Sequence, residues 1–133
     1  ITAGCANVSP ISAIMIGLLA GALAHFAAKF LLRLKIDDVV GAVAVHGFCG
    51  AWGTLAAGIF NEGDMFNLSI IGVQALGVAA AFIWTFGVSF LIFTLIHRTV
   101  GMRASTMHEQ RGLDFTEHHE VVFPEFVELL QGK

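Results

Sequence analysis

The sequence predicts an all-α fold, a polytopic bundle of membrane helices, and three observations point to it. The chain of 133 residues is 56% hydrophobic and only 13% charged, with a mean hydropathy of +0.80. Charged residues make up about a quarter of an average soluble domain, so half of the usual complement is missing. Fifteen glycines stand in this apolar chain, and glycine is more frequent in membrane helices than in soluble ones. The charge is also segregated, with ten of the seventeen Asp, Glu, Lys and Arg residues in the last 37 positions. An apolar membrane portion, residues 1–96, is therefore expected to precede a polar tail, residues 97–133.

Three stretches are long enough to cross a bilayer, which takes roughly 20 residues at about 1.5 Å each. The first runs from about residue 11 to 34, opening after Pro10 and closing in a basic margin of Lys29, Arg33 and Lys35. The second runs from about 39 to 60, between Asp37-Asp38 and the acidic loop Asn61-Glu62-Gly63-Asp64. The third runs from about 68 to 96 and stops at His97-Arg98; its length implies tilt or an extension beyond the lipid. Three alternating spans put all seven Lys and Arg residues on one side. The positive-inside rule then makes the tail cytoplasmic in a cell membrane.

Composition excludes several classes. There is no basic stripe for nucleic acid, and Cys5 and Cys49 are too far apart in context to suggest a disulfide framework. No nucleophile–base pair, phosphate loop or pair of catalytic carboxylates is visible, so no enzyme and no cofactor is expected. His108, His118, His119 and Glu120 lack the spacing of a metal site. In the tail, Gly112-Leu113-Asp114 reads as a turn, and residues 124–131 as a short helix.

His46 is the sharpest signal. Asp38 is a natural N-cap for the second span, and eight helical residues beyond it rise about 12 Å. That places His46 near the middle of a core roughly 30 Å thick, where an ionisable group is costly and by default lines a polar pathway. Imidazole both donates and accepts hydrogen bonds and titrates near neutral pH. The alternative is a histidine bonded to a neighbouring helix carbonyl. His46, Gly50, Gly53 and Ala57 share a face by their spacing of four, three and four. Such small residues either leave room beside the imidazole or admit another helix, and one stretch of the helix can do each. His25 lies one turn before Lys29, within reach of the interface, and Trp52 lies close to His46 along the second span.

Specific residues then point to a family. Ile36-Asp37-Asp38, Gly41-Ala42, Val45-His46-Gly47, Gly50 and Trp52-Gly53-Thr54 resemble the tenth membrane helix of ammonium transporters, the Amt/Mep/Rh superfamily. Thr2-Ala3-Gly4-Cys5-Ala6 resembles the segment before their ninth helix, and Gln74-Ala75-Leu76-Gly77 the start of the eleventh. Gly112-Leu113-Asp114, with His118 and Glu120 after it, resembles their cytoplasmic C-terminal motif. The resemblance implies the last three helices of an eleven-helix, homotrimeric ammonium/ammonia transporter set in membrane lipid, with no cofactor. It aligns His46 with the second of two pore histidines and sets Ala42 and Gly50 beside it on the substrate pathway. Asp37 and Asp38 align with a pair of acids that cap the helix. Gly112, Leu113, Asp114, His118 and Glu120 align with a regulatory tail that, in bacteria, bears on binding by a PII signal protein. Val39, where relatives often carry proline, and His119, where glycine is common, depart from the pattern. Two other functions remain open: an ammonium sensor coupled to an output partner, and a three-helix membrane subunit with no substrate.

Overall fold

The computed structural model describes residues 1–118. It divides into two units, Ile1–Gly87 and a second that begins at Val88. All regular structure among the described residues is helical.

Helix α1, Pro10–Arg33, begins where the sequence offers both a cap and a stiff first residue. Ser9 is extended, and its Oγ accepts the Ser12 N–H at 3.3 Å, while Pro10 fills the first helical position, where no N–H is needed. The helix ends in a double bond pattern: the Lys35 N–H donates to Leu32 O and the Ile36 N–H to Leu31 O, both at 3.0 Å. This six-to-one and five-to-two closure requires a left-handed residue between them. Lys35 supplies it, with φ of 58°.

Ser12, Ile16, Ala20, Ala27 and Leu31 are the buried residues of α1, spaced so that they share one face. Against that face lies a second apolar stretch, a π-helical segment Val43–Phe48 running on into helix α2, Cys49–Ile59. The Trp52 Nε1–H donates to Ile16 O at 3.1 Å and the Cys49 thiol to Ala20 O at 3.4 Å. Farther along, Ala27 and Leu31 pack with Ala44, and Phe48 closes the cluster edge-on to Phe30. Contacts that climb one helix as they descend the other make the pair antiparallel.

Close approach fixes several glycines. A Cβ on Gly53 would lie 2.6 Å from Ile1 Cα, and one on Gly58 would lie 3.2 Å from Ile71 Cα. The first admits the N-terminal turn Thr2–Gly4 to one side of α2; the second admits helix α3, Leu68–Thr99, to another. Between α2 and α3 the chain is tied to Asn7, whose carbonyl accepts the Glu62 N–H at 2.7 Å. Asn67 then starts α3, its Oδ1 accepting the Ser69 and Ile70 N–H groups. No residue of α3 is fully buried.

The helix boundaries differ from expectation chiefly in the second span. Residues 39–41 form a turn closed by the Gly41 N–H on Asp38 O, with Gly41 at φ of 68°. Helical structure therefore begins three to four residues later than the expected start near 39. Helices α1 and α3, of 24 and 32 residues, are long and apolar enough to cross a membrane, whereas Val43–Ile59 is a shorter apolar stretch.

In the second unit the end of α3 runs to Thr99, and Gly101, at φ of 83°, turns the chain away. Arg103 forks onto Glu109, Nε to Oε1 at 2.8 Å and Nη2 to Oε2 at 3.2 Å. This pairing raises the guanidinium and lowers the carboxyl from their ordinary values. Helix α4, Thr106–Arg111, is capped by Ser105, whose Oγ accepts the His108 N–H. Gly112, at φ of 90°, separates it from α5, Leu113–His118. The expected turn thus narrows to Gly112 alone, and the expected helix at 124–131 lies outside the described residues.

A left-handed L-residue costs roughly 1–2 kcal/mol, which glycine avoids at the expense of a more flexible unfolded chain. Lys35→Gly is therefore expected to stabilise the protein by about 1 kcal/mol. Thermal unfolding of the purified protein in detergent reads this as a higher midpoint. A lower midpoint would show that the lysine side chain outweighs its backbone strain.

Candidate functional site

The start of the second stretch is held by one carboxylate. Asp38 Oδ1 accepts the Val43 N–H at 3.1 Å and Oδ2 accepts the Ala44 N–H at 3.0 Å. An ordinary N-cap serves amides two or three residues on; here Gly41 folds the chain back so that the carboxylate reaches five and six residues ahead. The Ala44 N–H above all, with help from Val43 and Ala42, holds the Asp38 carboxyl below the usual range against an upward push from burial. Asp37, next to it, is exposed and makes no capping bond among the described residues.

The two clamped amides open the π-helical segment that contains His46. Its wider turn closes where the Cys49 N–H donates to Ala44 O, five residues back. Widened turns of this kind often sit at functional sites. His46 therefore stands in the opening turns, about four helical residues past Ala42. The helical rise below it is about 6 Å, rather than the 12 Å that a helix starting beside Asp38 would give.

His46 faces a hollow of about 600 Å³ within the first unit, between the second stretch and α3. Val43, His46, Gly47, Phe48, Gly50, Ala51 and Thr54 line one wall; Gly77, Val78, Ala81, Phe82 and Thr85 line the other. His46 and Gly50 thus come together at the hollow, while Ala42 stands at the head of the π segment and is not part of the lining. Gly53 and Ala57, which the spacing set on the same face, instead meet Ile1 and Gly4. The hollow is apolar apart from His46 and the two threonines. The imidazole is exposed and makes no hydrogen bond to another described residue.

The remaining candidates lie elsewhere. His25 is exposed and edge-on to Phe26, with ring centres 5.7 Å apart. Gly112, Leu113, Asp114 and His118 fall at the break and along α5, in the second unit, and Glu120 lies outside the described residues. His108 Nδ1 lies 3.4 Å from Glu117 Oε1, but among the described residues no three His, Cys, Asp or Glu side chains gather to hold a metal. Thr54 was legible only as part of the Trp52-Gly53-Thr54 run, and Phe48, Phe82 and Thr85 carried no sequence signal of their own. The spacing of 46, 50 and 54 by fours was the available hint, since residues four apart lie on one face of a helix.

Two helices long and apolar enough to cross a membrane, close glycine-mediated packing and a histidine on the wall of an open hollow are features of a helical membrane protein. Residues 1–123 match the sequence model of the Ammonium Transporter Family, and the chain belongs to that family. It is 38% identical to ammonium transporter Amt2 of Archaeoglobus fulgidus over 142 residues, 96% of this chain and 30% of that protein. It is 43% identical to a putative ammonium transporter of Synechocystis over 118 residues, 89% of this chain and 26% of that protein. An ammonium transporter of Bacillus subtilis is 33% identical over 135 residues, 92% of this chain and 33% of the relative. The chain spans about a quarter to a third of the length of these relatives.

The Asp38 clamp has a defined pH dependence. A carboxyl held below its unfolded value contributes stability that is complete above about pH 4 and lost as pH falls through the lowered value. Asp38→Ala is expected to speed amide hydrogen exchange at Val43 and Ala44 at neutral pH. The wild-type protein should show the same loss of protection only in acid. Equal exchange in the two proteins at pH 7 would mean that the clamp does not hold the π segment.

Proposed function

We propose that this chain is the C-terminal part of a membrane ammonium transporter, and that His46 lies on the path of ammonium or ammonia through it. The observation that supports the reading is the imidazole at the hollow, with no hydrogen bond to another described residue, in a chain of this family. Ammonia offers N–H donors and one lone pair, and neutral imidazole offers one group to meet each.

Residues 1–96 form the membrane portion and residues 97–133 a cytoplasmic tail, as the one-sided placement of Lys and Arg supports. The hollow is far larger than the roughly 30 Å³ that a small polar molecule such as water occupies. Further helices must therefore narrow it, and relatives three to four times longer have chain enough to supply them. By the family resemblance the complete protein is a homotrimer. Its tail, which carries the Arg103–Glu109 pair and the break at Gly112, is the place for a PII-type partner to act.

In the complete transporter, His46→Ala is expected to lower ammonium uptake by roughly tenfold or more, about 1.4 kcal/mol of barrier, or to change the charge moved per ammonium. Uptake and currents in reconstituted vesicles measure both. Uptake and currents equal to wild type would remove His46 from the pathway.

A further inference from the structure

We infer that Thr54 and Thr85 are further substrate-contacting residues, two hydroxyl oxygens that accept hydrogen bonds from N–H donors in the hollow beside His46. The inference rests on the transport reading and goes beyond it by assigning the chemistry of the two walls.

His46, Thr54 and Thr85 are the polar side chains of the lining. A threonine hydroxyl has one proton to donate and two lone pairs to accept with. In both threonines the proton is already committed. Thr54 Oγ1 donates to Gly50 O at 2.9 Å, and Thr85 Oγ1 donates to Ala81 O at 2.6 Å. What each presents to the hollow is therefore lone pairs alone. Bonding back to the carbonyl four residues earlier is ordinary for threonine in a helix and by itself assigns no role. Here, however, the two threonines belong to different helices, α2 and α3, and open on the same otherwise apolar space as His46.

A space whose hydroxyls only accept selects by hydrogen-bonding type. Ammonium offers four N–H donors and ammonia three, and methylammonium keeps three of them. An anion such as chloride or nitrate has none, so the threonines give it nothing in exchange for its lost hydration. Water also donates, so the pair favours donors over anions and does not itself exclude water. The donors also spare the backbone: Gly50 and Ala81 carbonyls, each already bonded by a hydroxyl, stay satisfied while the substrate is bound.

The test uses the complete transporter in vesicles, with ammonium as the probe. Thr54→Val and Thr85→Val keep the side-chain shape and remove the hydroxyl, whereas Thr54→Ser and Thr85→Ser keep the hydroxyl. Each valine variant is expected to raise the KM for ammonium about three- to tenfold, the range of one lost hydrogen bond, with the serine variants within about twofold of wild type. A valine variant with wild-type KM overturns the assignment. So does a serine variant that shifts KM as far as valine, since shape and not the hydroxyl would then matter. Should a valine variant fail to fold in a thermal melt, the alanine variant lacks the same hydroxyl and is read in the same way. A wild-type protein that moves no ammonium overturns the transport reading itself and the threonine assignment with it. Loss confined to the valine variants cannot be mistaken for that result.

Discussion

The structure of the first unit depends on how one carboxylate starts a helix in an apolar chain. The first amides of any helix lack internal partners, and in a membrane no water replaces them. Asp38 meets two of these donors, at Val43 and Ala44, and does so from outside the apolar stretch, so that no charge enters it. Everything downstream inherits that registration. Ala44 is set against Ala27 and Leu31, Cys49 against the Ala20 carbonyl, and Trp52 against the Ile16 carbonyl. A helix begun one residue earlier would turn each of these side chains by about 100° and break the pairing with α1. The clamp also decides what His46 faces, because only Val45 separates it from the second clamped amide.

Much of this fold was legible in the sequence, and the part that was not has a physical cause. Pro10 marked the opening of α1 to within a residue, and hydrophobic length alone indicates α1 and α3. The second stretch was misplaced at its start because Asp-Asp before an apolar run reads as an ordinary N-cap. Nothing in the local pattern shows that Gly41 turns left-handed and delays the helix. Lys35 is a similar case: a lysine in the left-handed position is uncommon, so the end of α1 was read from its charges rather than from its backbone. The π-helical segment was illegible because it depends on tertiary balance. Val43, Val45 and Gly47 weaken a regular helix there, and the Asp38 clamp and the packing of Phe48 choose the wider turn.

At the hollow, His46 was easier to pick out from the sequence than the residues around it. An ionisable side chain in an apolar run announces itself by its cost. The walls of the hollow do not, since glycine, alanine, phenylalanine and threonine are what any membrane helix contains. Helical periodicity also grouped His46 with Gly53 and Ala57, whereas the wider turn leaves those two against Ile1 and Gly4. The face that looked continuous is divided between packing and lining. Its glycines serve opposite ends: Gly53 lets a backbone come close, and Gly50 keeps the space beside the imidazole open.

The glycines without neighbours show what the first unit is shaped to meet. At Gly17, Gly21, Gly72 and Gly77 an added Cβ would find nothing within 4 Å. Lipid gives no reason to keep a side chain off such positions, because acyl chains adapt to any apolar surface. A rigid neighbouring helix does give a reason, since only small residues let two backbones approach when both alternatives are equally apolar. The same chain shows the effect at Gly58, where Ile71 occupies the space a Cβ would take. Gly17 and Gly21 are one turn apart, and Gly77 lies on the wall of the hollow itself. The open faces of α1 and α3 are therefore better matched to protein than to lipid. A helix that covered Gly77 would also narrow the space in front of His46, because Gly77 and His46 line the same hollow.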